Sequence, residues 1–218
     1  MVGEQGTGIQ ARMSPRATRL FLIRHGEVDS AWQGRIYGAL DVPLSERGRE
    51  DGLRVAGALR ETDLRAVVSA RTEHMAACLR ARRGLSRIDD PALRELERGE
   101  WAGRTPSEVE ARWPGAWAAW FENPGTARPP GGESLNDLLL RVLPRVNHWC
   151  GAHPGASIAL ITHGWVRVLV CRVIDAPFDR APHLDVRTGD VTLIRWPNDD
   201  ESGPELEAFA VDDAQLSE

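Results

Sequence analysis

The stretch RLFLIRHGE, Arg19–Glu27, decides how the rest of the chain is read. Leu20, Phe21, Leu22 and Ile23 form a short unbroken apolar run, which ends at Arg24-His25-Gly26. Such a run predicts a buried strand that delivers a histidine to a loop. The pattern recurs at Ser157–Gly164, SIALITHG, where the run ends at Thr162-His163-Gly164. RAVVS, Arg65–Ser69, predicts another buried strand. Helical signals lie between the strands. Ser45 is an N-cap for a helix continuing through Leu53, Val55, Ala56 and Leu59. RTEHMAACLRARR, from Arg71, predicts a helix stopped by Gly84. Ser134 opens a long helix with Leu135, Leu138, Leu139, Val142 and Leu143 on its apolar face and a kink position at Pro144. WVRVLVCRVI predicts the helix after His163, and DVTLIRW and ELEAFAV predict late strands, a hairpin at a sheet edge.

Strands alternating with helices predict an α/β fold, a mostly parallel sheet in a three-layer αβα arrangement. In such sheets, ligands bind at the carboxyl ends of the strands. If the strands before His25 and His163 are neighbours, both imidazoles stand over one pocket. Ser69 and Arg71, at the end of the RAVVS strand, face the same pocket. The expected organisation is an extension over residues 1–17 without fixed structure, one domain over 18–212 with a helical lid insertion at about 104–133, and a tail over 213–218.

Bulk properties bound the function. A chain of 218 residues suits one α/β domain. Net charge is −5 and the isoelectric point about 5.7, which argues against a general nucleic-acid partner. Cys78, Cys150 and Cys171 show no CxxC spacing and read as thiols in a reducing compartment. There is no run of about 18 apolar residues to span a membrane, and the N-terminus lacks the apolar core of a secretory signal. A cytoplasmic protein is expected. Oligomeric state is not legible.

Two histidines at strand ends beside an arginine suit an oxyanion better than a metal. Zinc sites take three protein ligands, commonly at short spacing, and neither HxH nor HExxH occurs. No metal or other cofactor is expected. Imidazole can attack phosphorus to give a covalent phosphoenzyme, and guanidinium forks hold phosphate oxygens. A carboxylic acid must then protonate the leaving oxygen. LRELERGEWAGR offers Glu95, Glu97 and Glu100, and the residues alone leave the choice open. Trp113, Trp117 and Trp120, at near-helical spacing, pack a core or face substrate from a lid. His148, His153 and His183 read as incidental.

In order along the chain, RHGE, GRIYGALDVPLSERGRE, LRELERGEWAGR, and PPGGESLNDLLLRV followed by ALITHG resemble the motifs of the histidine phosphatase superfamily. The likeness is to its phosphoglycerate mutase-like branch of cofactor-independent phosphatases. The resemblance implies that a small phosphoester is hydrolysed through a phosphohistidine. It assigns His25 as nucleophile, Arg24 and His163 as phosphate ligands, and Glu95 as proton donor. Mutase-like phosphotransfer is the alternative enzyme reading. Two segments depart from the family pattern. A polar residue usually follows RHG closely; here VDSAWQGR is longer, with Gln33 or Ser30 in that place. A second clamp arginine usually follows the second strand. Counting forward from Ser69 puts His74 there, and counting back along the helix puts Arg71 there. Loops absorb deletions more easily than helices, and a permanently charged fork suits phosphate better than imidazole, so Arg71 is preferred. The altered segment also admits a weakened, phospho-ligand-binding member.

Overall fold

The computed structural model describes residues 17–70, 72–81, 83–199 and 202–212. The predicted extension and tail therefore lie almost wholly outside the described residues. Among these residues the strands are β1 (Thr18–Arg24), β2 (Leu64–Ser69), β3 (Ile88–Asp89), β4 (Ser157–Thr162), β5 (Val191–Trp196) and β6 (Glu205–Val211). The α-helices are α1 (Glu46–Ala58), α2 (Glu73–Ala81), α3 (Pro106–Arg112), α4 (Ala116–Glu122), α5 (Leu135–Gly151) and α6 (Val166–Val173). The strands form one sheet in the order β3-β2-β4-β1-β5-β6. β3, β2, β4 and β1 run parallel, and β5 and β6 add an antiparallel edge. The expected hairpin is thus present. β3, two residues long, carries too little pattern to be read from sequence.

Side-chain alternation builds the three layers. Leu20 and Leu22 of β1, with Ile158 and Leu160 of β4, enter a core closed by α5 and α6. Phe21 and Ile23, with Ala159 and Ile161, enter the opposite core, closed by α1 and α2. Successive strand residues point to opposite faces, so both faces of an unbroken apolar run are buried. Each fully buried Leu or Ile contributes about 1.5–3 kcal/mol relative to exposure. A register irregularity between Leu64 and Ala66 puts Leu64 in the second core and Ala66 in the first.

Helix ends follow the capping residues. Ser45 Oγ accepts from Gly48 N at 3.0 Å. Thr105 and Ser134 each open their helix with a reciprocal capping box. α5 runs from Leu135 to Gly151 with Pro144 inside it. Proline removes the N–H that would bond the Leu140 carbonyl. Leu140 is 76% exposed, so that carbonyl lies on the solvent side, where water can serve it.

Candidate active site

The register of β1 on β4 places the two histidines. Arg24 pairs with Thr162, and each is followed by its histidine. The ladder extends one step, His25 N donating to Thr162 O at 2.9 Å. The imidazole centroids lie 5.3 Å apart. Both rings are buried and line a cavity of about 220 Å³ with Tyr37, Thr72 and Glu95.

The loop carrying His25 is held by backbone packing. A Cβ on Gly26 would lie 2.1 Å from Gly48 O, and one on Gly48 would lie 2.0 Å from Glu27 O. Only two glycines allow the start of α1 to sit this close to the loop. Ser45 Oγ, the α1 cap, also donates to Glu27 Oε1 at 2.8 Å. On the other side, Gly189 N donates to Arg24 O at 3.1 Å.

Hydrogen bonds fix the tautomer of both rings. His25 Nδ1 lies 2.7 Å from Gly26 O. A carbonyl only accepts, so Nδ1 carries the proton and neutral His25 has its lone pair at Nε2. Burial lowers the His25 pKa to about 3, helped by His163 and then Arg24. His163 Nε2 donates to Ala70 O at 3.2 Å. Burial lowers its pKa too, while Glu95 opposes the shift.

Of the three candidate glutamates, the structure brings Glu95 to the histidines. Its Oε2 accepts from Gly164 N at 2.7 Å and its Oε1 from Leu96 N at 2.7 Å. Glu97 turns to Gly99 N, 3.3 Å away. Glu100 is an exposed residue 3.7 Å from Arg112. Arg141 of α5 anchors the Glu95 segment. Its Nη1 donates to Ala92 O at 2.6 Å and Arg94 O at 3.1 Å, its Nη2 to Glu95 O at 3.4 Å. Glu133 binds the same guanidinium at both Nε (2.9 Å) and Nη2 (2.7 Å).

Arg24 reaches the far side of the site, with Nη1 donating to Val186 O. Its Nε is buried without a partner among the described residues. Arg167 Nη2 donates to the same carbonyl at 3.0 Å. Two guanidinium groups therefore converge on Val186.

Arg71 lies outside the described residues. Its neighbours Ala70 and Thr72 both line the histidine cavity, and Thr72 Oγ1 is buried without a partner among the described residues. His74 also lines the cavity, but its Nε2 donates to Arg49 O at 3.0 Å. The structure does not bring Gln33 to the group. Gln33 is exposed, beside the positive-φ turn at Gly34, and lines neither this cavity nor the one adjoining it. Ser30 is likewise absent from both linings.

Sequence reasoning missed Tyr37. Its ring lies edge-on to His25, centroids 6.2 Å apart, and the Arg24 guanidinium acts on its hydroxyl. Burial raises the phenol pKa, against the pull of Arg24, so the hydroxyl stays a donor. Its loop shows no periodicity that would single it out. Trp117 and Trp120 of α4 line the adjoining cavity beside Phe121. Among the described residues no group of three His, Cys, Asp or Glu side chains is arranged to hold a metal ion.

A buried histidine pair at adjoining strand ends, with an arginine and a carboxylate beside it, suits phosphoryl chemistry. The chain belongs to the histidine phosphatase superfamily (branch 1), whose family model matches residues 20–210. It is 37% identical over 181 residues to the glucosyl-3-phosphoglycerate phosphatase of Mycobacterium tuberculosis, covering 78% of this chain and 81% of that one. Phosphoserine phosphatase 1 of Hydrogenobacter thermophilus is 28% identical over 160 residues, covering 72% and 76%. Among solved structures, Bacillus stearothermophilus YhfR superposes with a TM-score of 0.82 at 28% identity, covering 90% of this chain and 99% of that chain. A mycobacterial glucosyl-3-phosphoglycerate phosphatase in complex with VO3 gives 0.76 at 30%, covering 88% and 98%. The chain is a phosphatase of this superfamily, and its mostly parallel αβα sheet is of the kind the sequence predicts.

Proposed function

We propose that a small phosphomonoester binds at the His25–His163 cavity and that His25 Nε2 attacks phosphorus. The P–O bond to the leaving alcohol breaks as the P–N bond forms. Glu95, protonated beforehand, gives its proton to the leaving oxygen. Water then attacks the phosphohistidine, losing its proton to Glu95, and phosphate and neutral His25 are regenerated. Arg24 and Arg71 stabilise the equatorial oxygens, whose charge is the main demand of phosphoryl transfer, and His163 joins them by turning its Nε2–H from Ala70 O to a phosphate oxygen. Thr72 and Tyr37 supply further donors.

The observation that carries this reading is the His25 tautomer. Gly26 O holds the Nδ1 proton, and burial keeps the ring neutral above about pH 3, so a lone pair is ready at Nε2. Relatives named as phosphatases of a phosphorylated glycoside and of phosphoserine support a small phosphorylated metabolite as substrate. The helical segment over about 104–133, with α3 and α4, acts as a lid on the leaving group. A cytoplasmic location fits the three free cysteines, and no described helix is long and apolar enough to cross a membrane.

The test is brief exposure to a phosphoester labelled in its phosphoryl group, followed by acid-labile, base-stable label mapping. Label on the peptide carrying His25, with turnover of p-nitrophenyl phosphate lost in His25→Ala, is the expected result. Undiminished turnover in His25→Ala overturns the mechanism. Retained binding without labelling would favour the non-catalytic binder.

A further inference from the structure

Arg167, in the first turn of α6, lines a second cavity of about 310 Å³ that adjoins the histidine cavity. Tyr37 and Glu95 line both cavities, and Arg24 and Gly164 line the second. Two backbone carbonyls fix the Arg167 guanidinium. Its Nε donates to Leu184 O at 2.6 Å and its Nη2 to Val186 O at 3.0 Å. One edge of the planar fork is thereby spent. The Nη1 end makes no hydrogen bond among the described residues, and unlike Arg24 Nε it keeps accessible surface. Gly164 locates that end. A Cβ on Gly164 would stand 3.1 Å from Glu95 Oε2 and 3.3 Å from Arg167 Nη1. The free end of the fork therefore opens beside the carboxylate.

Arg24 and Arg167 share the Val186 carbonyl, so two like charges stand side by side. Among the described residues neither forms an ion pair. Burial lowers the Arg167 pKa and Arg24 adds to the fall, but a guanidinium stays charged at any working pH. Two cations against one neutral carbonyl repel each other, and an anion held between them offsets that repulsion. Guanidinium N–H groups donate and never accept. The anion next to Arg24 is the phosphoryl group, and the Nη1 end of Arg167 approaches it from the Glu95 side.

Resting on the phosphatase reading, we propose that Arg167 is a further catalytic residue, whose Nη1 end donates to an oxygen of the transferred phosphoryl group on its leaving side. Arg24 and Arg167 then hold the group from two directions. Arg167 offsets the charge on the phosphoryl oxygens as the bond to the leaving alcohol breaks. Its contact is with the phosphoryl group and not with the alcohol, so it serves every substrate equally.

Orthovanadate tests this, because it copies the phosphoryl group in transfer and carries no leaving group. In Arg167→Met its inhibition constant should rise about tenfold to a hundredfold, the range for a charge-assisted hydrogen bond. kcat/KM should fall by a similar factor for p-nitrophenyl phosphate and for glycerol 3-phosphate. Arg167→Lys keeps the charge but cannot span the Leu184 and Val186 carbonyls, and it should recover most of the vanadate affinity. A residue that only braced those carbonyls would lose as much in Arg167→Lys as in Arg167→Met. Arg167→Gln, uncharged but still a donor, replaces Arg167→Met if that variant does not fold. An unchanged inhibition constant, a loss confined to one substrate, or equal losses in the charged and uncharged variants overturns the proposal. Failure of the phosphatase reading shows separately, as a wild-type chain that neither hydrolyses p-nitrophenyl phosphate nor labels His25.

Discussion

Gly164 donates its backbone N–H to Glu95 Oε2 at 2.7 Å, tying the carboxylate to the residue that follows His163. The two positions are 69 residues apart in sequence. A carboxylate held this way keeps its place beside the His25–His163 pair rather than swinging on its own side chain. Glu95→Gln keeps the shape and an acceptor oxygen but cannot supply a proton. Turnover of an alkyl phosphate such as glycerol 3-phosphate should fall by about 100-fold or more. Turnover of p-nitrophenyl phosphate, whose leaving oxygen needs no proton, should fall far less. Equal losses on the two substrates would remove Glu95 from the acid role.

The two buried histidines set a pH dependence of stability. Burial lowers His25 from 6.5 to about 3 and moves His163 the same way. Below about 6.5 the unfolded chain gains protons that the folded chain does not. Their stabilising contribution is therefore complete above that value and is lost as the pH falls toward 3. For His25 alone the loss between pH 7 and pH 5 is about 2 kcal/mol. His25→Asn should cut the acid sensitivity by that amount, read as the difference in denaturation midpoints at the two pH values. An unchanged difference would mean that His25 titrates normally in the folded protein.

Gly26→Ala and Gly48→Ala each force a methyl into backbone, at 2.1 and 2.0 Å from carbonyl oxygens. Each should cost about 1–3 kcal/mol or more, as overpacking does. Activity should fall as well, because the loop that shifts carries His25. Ala at Gly57, which meets nothing within 4 Å, is the control and should be near neutral.

Arg141 and Glu133 form a two-point ion pair whose side chains are 15% and 18% exposed. Arg141→Met leaves Glu133 only the more distant Arg94, at 3.7 Å, and the Glu97 N–H, and frees the carbonyls of Ala92, Arg94 and Glu95. A loss of about 3 kcal/mol is expected, the range for breaking a mostly buried pair. Glu133→Gln in the same protein should recover part of that loss, a coupling that urea denaturation measures. kcat should fall in Arg141→Met because the Glu95 segment is no longer pinned.

The histidine pair was legible because unbroken apolar runs mark buried strands, and strand ends mark ligand sites. Neither step needs a side-chain contact. The choice of Glu95 over Glu97 and Glu100 was not legible from pattern, since all three are charged residues in one loop. What separates them is which carboxylate meets the Gly164 N–H, a contact made across the sheet edge. Tyr37 was hidden for the same reason. Gln33 illustrates the opposite error. Counting from RHG brings it near the site along the chain, but the turn at Gly34 leaves it facing solvent.

The pairing of Arg24 with Thr162 has a consequence for how the protein dies on heating. The two imidazoles meet because neighbouring central strands are aligned, and slipping that alignment by one residue would invert every buried side chain. The backbone positions that carry the two rings are held together as long as the β1–β4 ladder persists. Heat inactivation should therefore track global melting. The amides of Ile23 and Ile161 should exchange with solvent only through that same event.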